Sequence, residues 1–486
     1  MPTTVSGSYP AVNSDSDATI NGLTVGKGAG SNNGTNVGLG SSVLAANTTA
    51  YFLTAVGHNA LTGNTTGINN TAVGMQAGYT NSTGTSNVFV GKQAGYSNTT
   101  GGDNSFLGVD SGYANTTGAN NTAIGSQSLR SNTTASNHTA VGYQAGYSNT
   151  TGIQHTLLGG QAGYSLTTAT NNVNVGYLAG RSNQTGDGVV AVGTACLYNN
   201  TASYNTAVGG GNTMYANTTG SSNVAVGNND ATTNATMRFN TTGSNNTAIG
   251  IGALGNNTTA SNNTAVGYGA GYSNTTSSQS TYVGSFAGYL SNAAANNTFV
   301  GQSAGYNNTS GGNNTMVGQN CGSNITSGAS NVYYGWSATG SSATVSNEVI
   351  YGYNLTGKGS STGFYGGFVA VYNQANTSTW ATTSDRRLKK NIVDNNTGLD
   401  LINAIQVRNF EYRLPEEVTD LPQDQAIAKE GLQLGVIAQE LQAVLPECVK
   451  QESTGVLRVD TDNLTWYLIN AVKELKAEID QLKGAK

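Results

Sequence analysis

One pattern of apolar, small and polar positions recurs every seventeen residues between residues 51 and 352. Each unit has an apolar residue before a glycine, an alanine three residues after that glycine, and often an Asn-Thr-Thr-Gly segment. A period kept over so many units is typical of repeat proteins, in which each unit packs only on its neighbours. In a strict register this anchor glycine falls at Gly57, Gly74, Gly91, Gly108, Gly125, Gly142, Gly159, Gly176, Gly193, Gly210, Gly227, and again at Gly250, Gly267, Gly284, Gly301, Gly318, Gly335 and Gly352.

The unit predicts β-strands rather than helices. Short β-branched segments, such as those ending at Val56, Val73 and Ile124, are separated by glycine and Asn-Thr-Thr-Gly turns. Seventeen residues are enough for two short strands and two turns. Coils stacked about 4.8 Å apart would place equivalent residues of successive units directly above one another. The sequence therefore predicts a mainly β fold, a long β-solenoid of seventeen-residue coils with an alanine-and-valine interior.

Two irregularities interrupt the period. The step from Gly227 to Gly250 is six residues longer than one unit, and we interpret Asn234–Phe239 as a loop bulging from the solenoid. Val208 and Gly209 lie one residue early, which predicts a local bulge there.

Composition separates a second, ordinary domain from the repeat. Charged residues are 9% of the chain, against about 25% in typical proteins. Residues 384–486 hold 17 of the 24 acidic and 13 of the 19 basic side chains. No proline lies between Pro10 and Pro415, which suits an unbroken hydrogen-bonded ladder. We predict an attachment segment at 1–35, the solenoid shaft at 36–352, a tip at 353–383 and a small α+β domain at 384–486.

Several classes of function are disfavoured. The net charge of −5 and the absence of a basic stripe argue against a nucleic-acid partner. Neither a signal peptide at the start nor a run of about twenty apolar residues is present, so we expect no membrane insertion and synthesis in the cytoplasm. Carboxylates are isolated along the repeat, which makes a glycan-cleaving site improbable.

The cysteines and histidines suggest neither a metal nor a cofactor. Cys196 and Cys321 fall where most repeats carry alanine, as small buried residues would. We interpret His58, His138 and His155 as unrelated solvent or packing residues rather than metal ligands. We expect no cofactor and no metal site.

Candidate chemistry lies where the repeat ends. Ser384 precedes Lys389 by five residues in a basic segment, Ser-Asp-Arg-Arg-Leu-Lys-Lys-Asn-Ile. On its own this spacing is weak, since it does not match the S-x-x-K motif and a solvated linker explains it better.

The surrounding residues strengthen the reading. The segment is followed by Gly398-Leu-Asp-Leu-Ile, Phe410-Glu-Tyr, Gly435-Val-Ile-Ala-Gln-Glu-Leu and Leu445-Pro-Glu. Asp460, Tyr467-Leu-Ile and Ala471-Val-Lys-Glu-Leu come after them. This order resembles the endosialidase-type intramolecular chaperone, a self-cleaving C-terminal domain of phage tailspikes and tail fibres.

The resemblance implies a trimeric folding template that cuts itself off after assembly. It implies that Ser384 is the nucleophile and Lys389 the base of a serine autoprotease without external substrates. We expect the cut between Thr383 and Ser384, with a cut just after Ser384 as the alternative. Residues five apart on a helix point about 140° apart, so a turn, or a lysine from the next chain, must join them. Arg386, Arg387 and Lys390 would disfavour the lysine's charged form.

The last segment predicts a helix with a coiled-coil-like seam. Its seam residues are Leu468, Val472, Leu475, Ile479 and Leu482. This seam nominally favours a dimer, so the trimer rests on the family and on the shaft, which resembles the β-roll heads of YadA-type trimeric adhesins and phage fibre shafts. The domain should therefore assemble three copies.

These observations predict a phage tail fibre that binds a host receptor. The expected partners are two further copies of the chain, a tail or baseplate protein at the N-terminus, and a host surface receptor, expected to be a glycan. The alternative is a bacterial trimeric surface adhesin, which would need a signal peptide and a membrane anchor. The candidate receptor contacts are Tyr365, Phe368, Tyr372 and Trp380, with Arg238 and Phe239 as a second group.

Overall fold

The computed structural model describes residues 18–20, 23–26, 35–228, 234–366, 370–374, 384–420, 427, 429–451 and 456–484. The chain divides into two compact units, Met1–Thr383 and Ser384–Lys486.

The first unit is a parallel β-solenoid, which confirms the predicted fold class. Strands β3 to β22 pair in chain order, each with the next, and β1, β2 and β23 add antiparallel pairings at the two ends. The strands are β1 Ala18–Ile20, β2 Leu23–Gly26, β3 Val37–Gly40, β4 Thr54–Val56, β5 Thr71–Val73, β6 Val88–Val90, β7 Ser105–Leu107, β8 Thr122–Ile124, β9 Thr139–Val141, β10 Thr156–Leu158, β11 Val173–Val175, β12 Val190–Val192, β13 Thr206–Val208, β14 Val224–Val226, β15 Thr247–Ile249, β16 Thr264–Val266, β17 Thr281–Val283, β18 Thr298–Val300, β19 Thr315–Val317, β20 Val332–Tyr334, β21 Val349–Tyr351, β22 Thr362–Gly366 and β23 Ala370–Gln374.

The anchor glycine is required by the stacking of the coils. Gly125 has a φ of +129°, and a Cβ on it would lie 2.6 Å from the carbonyl oxygen of Gly142 in the next coil. A side chain would therefore collide with backbone and also strain the dihedral angle. The seventeen-residue period follows from one such glycine in each coil.

The interior is filled by two neighbouring positions in each coil, and a large side chain at one is accompanied by a small residue at the other. The middle residue of each strand from β4 to β21 is fully buried, and it varies from Ala123 to Phe89. Beside Phe89 the chain places Gly78 and Gly95, where a Cβ would lie 2.6 and 2.4 Å from the ring. In the coil of Ala123 the corresponding position holds Leu129, which is fully buried. The core thus keeps a near-constant volume from coil to coil, as close packing demands.

The predicted alanine-and-valine interior is only half correct. The residues directly before the anchor glycines, from Leu39 to Tyr365, point outward and are half-buried or exposed. Leu107 is 44% exposed and Ile249 is 41% exposed. We call this column of outward apolar side chains the apolar stripe. Its residues leave the interior because neighbouring strand positions alternate between the two faces.

Buried asparagines connect the coils. Asn98 Nδ2 donates to Asn81 Oδ1 at 2.7 Å, and Asn115 Nδ2 donates to Asn98 Oδ1 at 2.7 Å. A second column lies just before the strands, where the main-chain N–H of Asn87 donates to Asn70 Oδ1 at 2.9 Å. These ladders satisfy amides that would otherwise destabilise a dry interior.

His138 and His155 are buried packing residues, but both occupy this second column, so the prediction that their repeat positions are unrelated was wrong. They stand one coil apart in the position of Asn121 and Asn172, and their rings stack with centroids 5.0 Å apart. The main-chain N–H of His155 donates to His138 Nδ1, and that of Asn172 donates to His155 Nδ1, both at 3.2 Å. Each imidazole therefore takes over the acceptor role of an asparagine oxygen.

The irregularities of the period lie in turns, and both local predictions need correction. Val208 pairs with Val192 and with Val226 in an unbroken ladder, so there is no bulge at Val208. Gly209, whose N–H donates to the oxygen of Val192 at 2.9 Å, is the anchor glycine there instead of Gly210. The coil before it is one residue short in its Asn-Thr turn, and the coil after it is one residue long.

The predicted loop at Asn234–Phe239 is wrong. Thr236 and Met237 are fully buried, and the N–H of Met237 donates to the oxygen of Ala253 at 3.0 Å, as in regular coils. The extra residues lie earlier, after Gly227 and before Ala235, and residues 229–233 are outside the described part of the chain.

One buried side chain breaks the packing rule and carries a stability prediction. Asn174 is the middle residue of β11, fully buried, and both atoms of its amide lack a hydrogen-bond partner. Leucine has the same number of side-chain heavy atoms and the same branching at Cγ, and it stands at this position in the preceding coil as Leu157. We expect Asn174→Leu to raise the stability of the shaft by about 1–3 kcal/mol, because it removes two unpaired polar atoms.

Thermal unfolding of the purified protein measures this effect. The matched control is Asn115→Leu, which should lower the melting temperature because Asn115 is bonded in its ladder. A lower melting temperature for Asn174→Leu would contradict the prediction.

The asparagine column ends on a buried carboxylate. Glu348 is fully buried and accepts hydrogen bonds from Tyr333 Oη at 2.8 Å and from the N–H of Gly359 at 2.8 Å. Its own N–H donates to Asn331 Oδ1 at 2.9 Å, continuing the ladder. The last coil is therefore held together by a charged group in place of an amide.

The second unit is small and mixed. Its helices are α1 Leu399–Ala404, α2 Ala438–Val444 and α3 Asp462–Gly484, and its strands are β24 Arg408–Phe410, β25 Gln433–Gly435, β26 Val449–Gln451 and β27 Leu457–Val459. Strands β24 and β25 form one antiparallel pair, and β26 and β27 another. Short 3₁₀ turns cover Arg386–Leu388, Pro415–Glu417 and Pro446–Cys448. The predicted terminal helix is confirmed as α3.

The start of α1 is fixed against α3. A Cβ on Gly398 would lie 2.2 Å from the main-chain nitrogen of Ala471, so only glycine allows this approach. The N–H of Leu399 donates to Glu474 Oε2 at 2.6 Å, and Asn470 Nδ2 donates to the oxygen of Asn395 at 2.7 Å. Among the described residues, the main buried cluster of this unit is Leu441, Leu445, Cys448 and Val449 with partly buried neighbours.

Candidate functional site

A short turn begins the second unit. Asp385 caps the 3₁₀ turn Arg386–Leu388, and its Oδ1 accepts the N–H of Arg387 at 2.8 Å. The N–H of Leu388 donates to the oxygen of Asp385, and that of Lys389 to the oxygen of Arg386, both at 3.1 Å. Aspartate is favoured at such caps because its carboxylate satisfies a free amide.

This turn brings the two predicted catalytic side chains together. Lys389 Nζ donates a hydrogen bond to Ser384 Oγ at 2.6 Å. A turn is one of the two arrangements that we expected, and here both groups come from the same chain. Serine and lysine in contact can form a nucleophile and a base if the lysine is deprotonated.

The charges around the pair differ from the expectation. Arg387 forms a two-pronged ion pair with Asp385, with Nε 3.0 Å from Oδ1 and Nη2 2.5 Å from Oδ2. The pairing holds the pKa of Asp385 below its ordinary value and raises the pKa of Arg387. Arg387 therefore does not act as an uncompensated positive charge beside Lys389, as we had assumed.

Both members of the pair are exposed in the single chain. Ser384 and Lys389 lie on the surface of the second unit, as do Arg386 and Lys390. A lysine accepts a proton at neutral pH only when burial or positive charge disfavours its ammonium form. The arrangement thus supplies the contact but not the burial that the chemistry needs.

Other residues of the predicted cut are placed in part. Thr383 lies outside the described residues. Asn391, which could donate to a developing oxyanion, has a φ of +55° just after the turn. A left-handed residue is uncommon outside glycine, though asparagine tolerates it best.

The predicted receptor contacts lie only partly within the described residues. Tyr365 is 40% exposed and stacks on Tyr351 with centroids 4.9 Å apart. Tyr372 lies on β23 opposite Phe364, and nothing is described of its side chain. Phe368 and Trp380 lie outside the described residues.

The second group of predicted contacts belongs to a regular coil. The Arg238 guanidinium lies over the Phe239 ring, 5.2 Å from its centroid, and Phe239 is 42% exposed. Sequence reasoning placed this pair correctly on the surface but assigned it to a loop.

The cysteines are confirmed as small buried residues. Cys196 and Cys321 are fully buried free thiols, and burial raises their pKa to about 11 and about 12. Thiols this hard to ionise are poor nucleophiles. Among the described residues, no group of histidine, cysteine and carboxylate side chains is placed to hold a metal ion. No described helix is long and apolar enough to cross a membrane.

A family comparison begins at the same serine. Residues 384–450 match the model of the protein family described as the chaperone of endosialidase. The second unit carries this chaperone domain. The match starts at Ser384, includes the capped turn and Lys389, and ends within β26, so α3 and the solenoid lie outside it. No curated protein and no solved structure matches the chain.

The chaperone domain and the solenoid together support a phage tail fibre. The family indicates a self-cleaving intramolecular chaperone, and the twenty-strand parallel solenoid ahead of it fits a fibre shaft. Two features of the site were missed from sequence. The cap by Asp385 could have been found from the sequence, because an acidic residue directly precedes a basic turn. The hydrogen bond from Leu399 to Glu474 joins residues 75 positions apart, and no local sequence pattern indicates it.

Proposed function

We propose that this chain is a receptor-binding phage tail fibre whose C-terminal domain directs trimer assembly and then cuts itself off through Ser384 and Lys389. The observation that carries the proposal is the chaperone-family match, which begins at Ser384, the residue that Lys389 contacts.

The cut follows from the position of Ser384. Its Oγ attacks the carbonyl carbon of Thr383 while Lys389 accepts the hydroxyl proton. The bond between Thr383 and the nitrogen of Ser384 breaks, that nitrogen takes the proton from Lys389, and the Thr383 acyl group stays on Oγ as an ester. Water then hydrolyses the ester, releasing the Thr383 carboxylate and the free hydroxyl of Ser384.

The apolar stripe supports a symmetric assembly of three copies. It presents one half-exposed apolar side chain in each coil, from Leu39 to Tyr365, along the stacking direction. Identical stripes meet at equal heights only if the copies are related by rotation about an axis parallel to the stack. Three stripes around such an axis cover one another and remove apolar surface from water.

The exposed face of α3 supports association between copies of the chain, whereas the number three rests on the family and on the shaft. Its seam residues Val472 and Leu482 are 60 and 72% exposed, and Trp466 is 65% exposed. Beside them lies a surface pocket of about 530 Å³, lined by Trp466, Ile469 and Asn395 among others. Apolar surface of this extent is typical of a subunit interface, and a second copy is the occupant that the seam fits.

Assembly would also complete the catalytic pair. An exposed Lys389 is a poor base, whereas neighbouring chains packed against the start of the domain would bury it and bring further arginines close. Cleavage would then follow trimerisation instead of preceding it. In this proposal the fibre is joined to the virion by the N-terminal segment and contacts a host surface glycan through the shaft or its end.

Expression of the full chain with different tags at its two ends tests the proposal. We expect two fragments, separated before Ser384, and a long fragment that sediments as three chains. Mass spectrometry locates the cut, and analytical ultracentrifugation counts the chains. A long fragment that sediments as a monomer, or a chain that stays intact after assembly, would contradict it.

A further inference from the structure

One cluster of aromatic residues in the middle of the shaft differs from all regular coils. The tyrosines five residues after the anchor glycines stack face to face in regular coils, as Tyr96 does on Tyr113 with centroids 5.1 Å apart and planes 7° apart. This column continues through the cluster, where Tyr272 stacks on Tyr289 with centroids 5.2 Å apart and planes 8° apart. In such a column each ring face is covered by the next ring. Only the ring edges remain for a ligand.

The cluster adds perpendicular rings beside this column. Tyr268 and Phe286 have centroids 5.1 Å apart at 84°, and Phe286 and Tyr289 have centroids 5.3 Å apart at 79°. A perpendicular pair leaves a face of one ring uncovered by its partner. Tyr268 is 44% exposed, so this surface is open to solvent.

Glycine makes the arrangement possible. Gly269 takes a position where other coils carry glutamine, such as Gln144 and Gln161. A Cβ there would lie 3.1 Å from the Phe286 ring and 3.3 Å from the Tyr289 ring. Without a side chain at Gly269, the Phe286 ring can lie back against the shaft and the depression beside it stays open.

A polar group lies at the edge of the depression. Tyr272 Oη donates to Asn234 Oδ1 at 2.9 Å, across the coil that separates them. A ligand could form hydrogen bonds with the amide of Asn234 and with the hydroxyls of Tyr268, Tyr272 and Tyr289, because amides and phenols both donate and accept. Among the described residues, the lining contains no carboxylate, lysine or arginine.

The depression measures about 30 Å³, far below the size of an enclosed small-molecule site. It therefore accepts one flat, partly apolar ring at the surface. A neutral sugar has this character, because its ring C–H groups pack on an aromatic face while its hydroxyls bond to amides and phenols. A further copy of the chain is a poorer occupant. An interface between two shafts would use positions that are present in every coil, whereas this cluster occurs in only a few neighbouring coils.

We propose that Tyr268, Phe286 and Asn234 form a binding site for one hexose unit of a neutral glycan. The proposal rests on the receptor-binding role proposed above and gives it a place on the shaft, separate from the residues first expected to contact the receptor.

Titration of the purified protein with maltohexaose, cellohexaose and mannohexaose, followed by calorimetry and by changes in tyrosine fluorescence, tests the site. We expect weak, millimolar binding of at least one of these neutral hexasaccharides and none of hyaluronan hexasaccharide, which is charged. Tyr268→Ala should weaken the binding about tenfold, as expected for loss of one aromatic contact. Tyr268→Phe should retain it, because the ring remains.

The matched control is Tyr143→Ala. Tyr143 follows its anchor glycine as Tyr268 does and is 55% exposed, but it has no such cluster beside it. Failure of all three neutral sugars to bind, or an equal loss of affinity in the Tyr143 variant, would overturn the proposal. Binding of free sugars requires neither cleavage nor a virion, so the two proposals can fail separately. A cleaved trimer that binds no sugar would reject only this site. An uncut monomer that binds sugar would reject only the fibre proposal.

Discussion

Ser384→Ala is expected to abolish self-cleavage and leave full-length chain that still assembles. The hydroxyl that Lys389 contacts at 2.6 Å is then missing, so no ester with Thr383 can form. Lys389→Ala should fail equally because no base remains. Lys389→Arg should also fail, since a guanidinium does not give up its proton in proteins. Gel electrophoresis over time, with ultracentrifugation of the uncut chain, measures both cleavage and assembly.

Neighbouring positions provide the controls. Lys390→Ala removes an adjacent positive charge but leaves the Ser384–Lys389 contact intact, so it should cut, although more slowly. Asp385→Asn removes the ion pair with Arg387 while an amide can still cap the turn, so cleavage should persist. Complete cleavage of Ser384→Ala would reject the pair and return this segment to a charged linker.

The solenoid could be predicted because its constraint is local and repeated. Each coil needs one glycine because a side chain there would collide with the backbone of the next coil, as at Gly125. The period is therefore visible in the sequence as a regularly spaced glycine. The register slips could not be placed as well. An extra residue is accommodated wherever a turn tolerates it, and the strand ladder runs on unchanged past Val208.

Side-chain direction was harder to predict than strand position. Valine before the anchor glycine is typical of a core residue, yet it lies on the outer face because the strand centre, one residue earlier, points inward. The strength of the apolar pattern at both positions hid this difference. Composition alone cannot tell whether such an apolar residue lies in the core of one chain or on a surface that another chain could cover.

The contact between Ser384 and Lys389 depended on a turn that five residues can form in several ways. The cap by Asp385 selects one of them, and only the structure shows it. The histidine pair was missed for a different reason, since His138 and His155 were compared with other histidines rather than with the asparagines of their column.

That pair should make the shaft sensitive to acid. Burial, and for His138 also the neighbouring His155, lowers the pKa of His138 to about 3. Burial lowers the pKa of His155 to about 4, although the Ala169 carbonyl and the charge of Asp187 oppose this shift. Because each Nδ1 accepts a main-chain N–H, protonation there would remove a ladder hydrogen bond and place two positive rings 5.0 Å apart.

The direction of the pH effect follows from these values. The folded-state pKa of each histidine lies below the ordinary value of 6.5, so the unfolded chain binds protons first as the pH falls. The stability that the neutral pair contributes is complete above pH 6.5 and is lost between pH 6.5 and the folded values of about 4 and 3. At roughly 1.4 kcal/mol per pKa unit, the loss amounts to roughly 3 kcal/mol per histidine near pH 4.

Replacing both histidines by asparagine isolates their contribution. In the same column Asn121 Oδ1 accepts the N–H of His138 at 3.1 Å, so an amide supports the ladder without titrating. We expect the His138→Asn, His155→Asn protein to match the parent at pH 7 and to unfold at a higher temperature at pH 4, scanned at one heating rate. His58→Asn, a change outside the column, should leave the acid response as it is. If the double variant loses as much stability as the parent between pH 7 and pH 4, the acid sensitivity of the shaft arises from its carboxylates, because those are the groups that the two proteins still share.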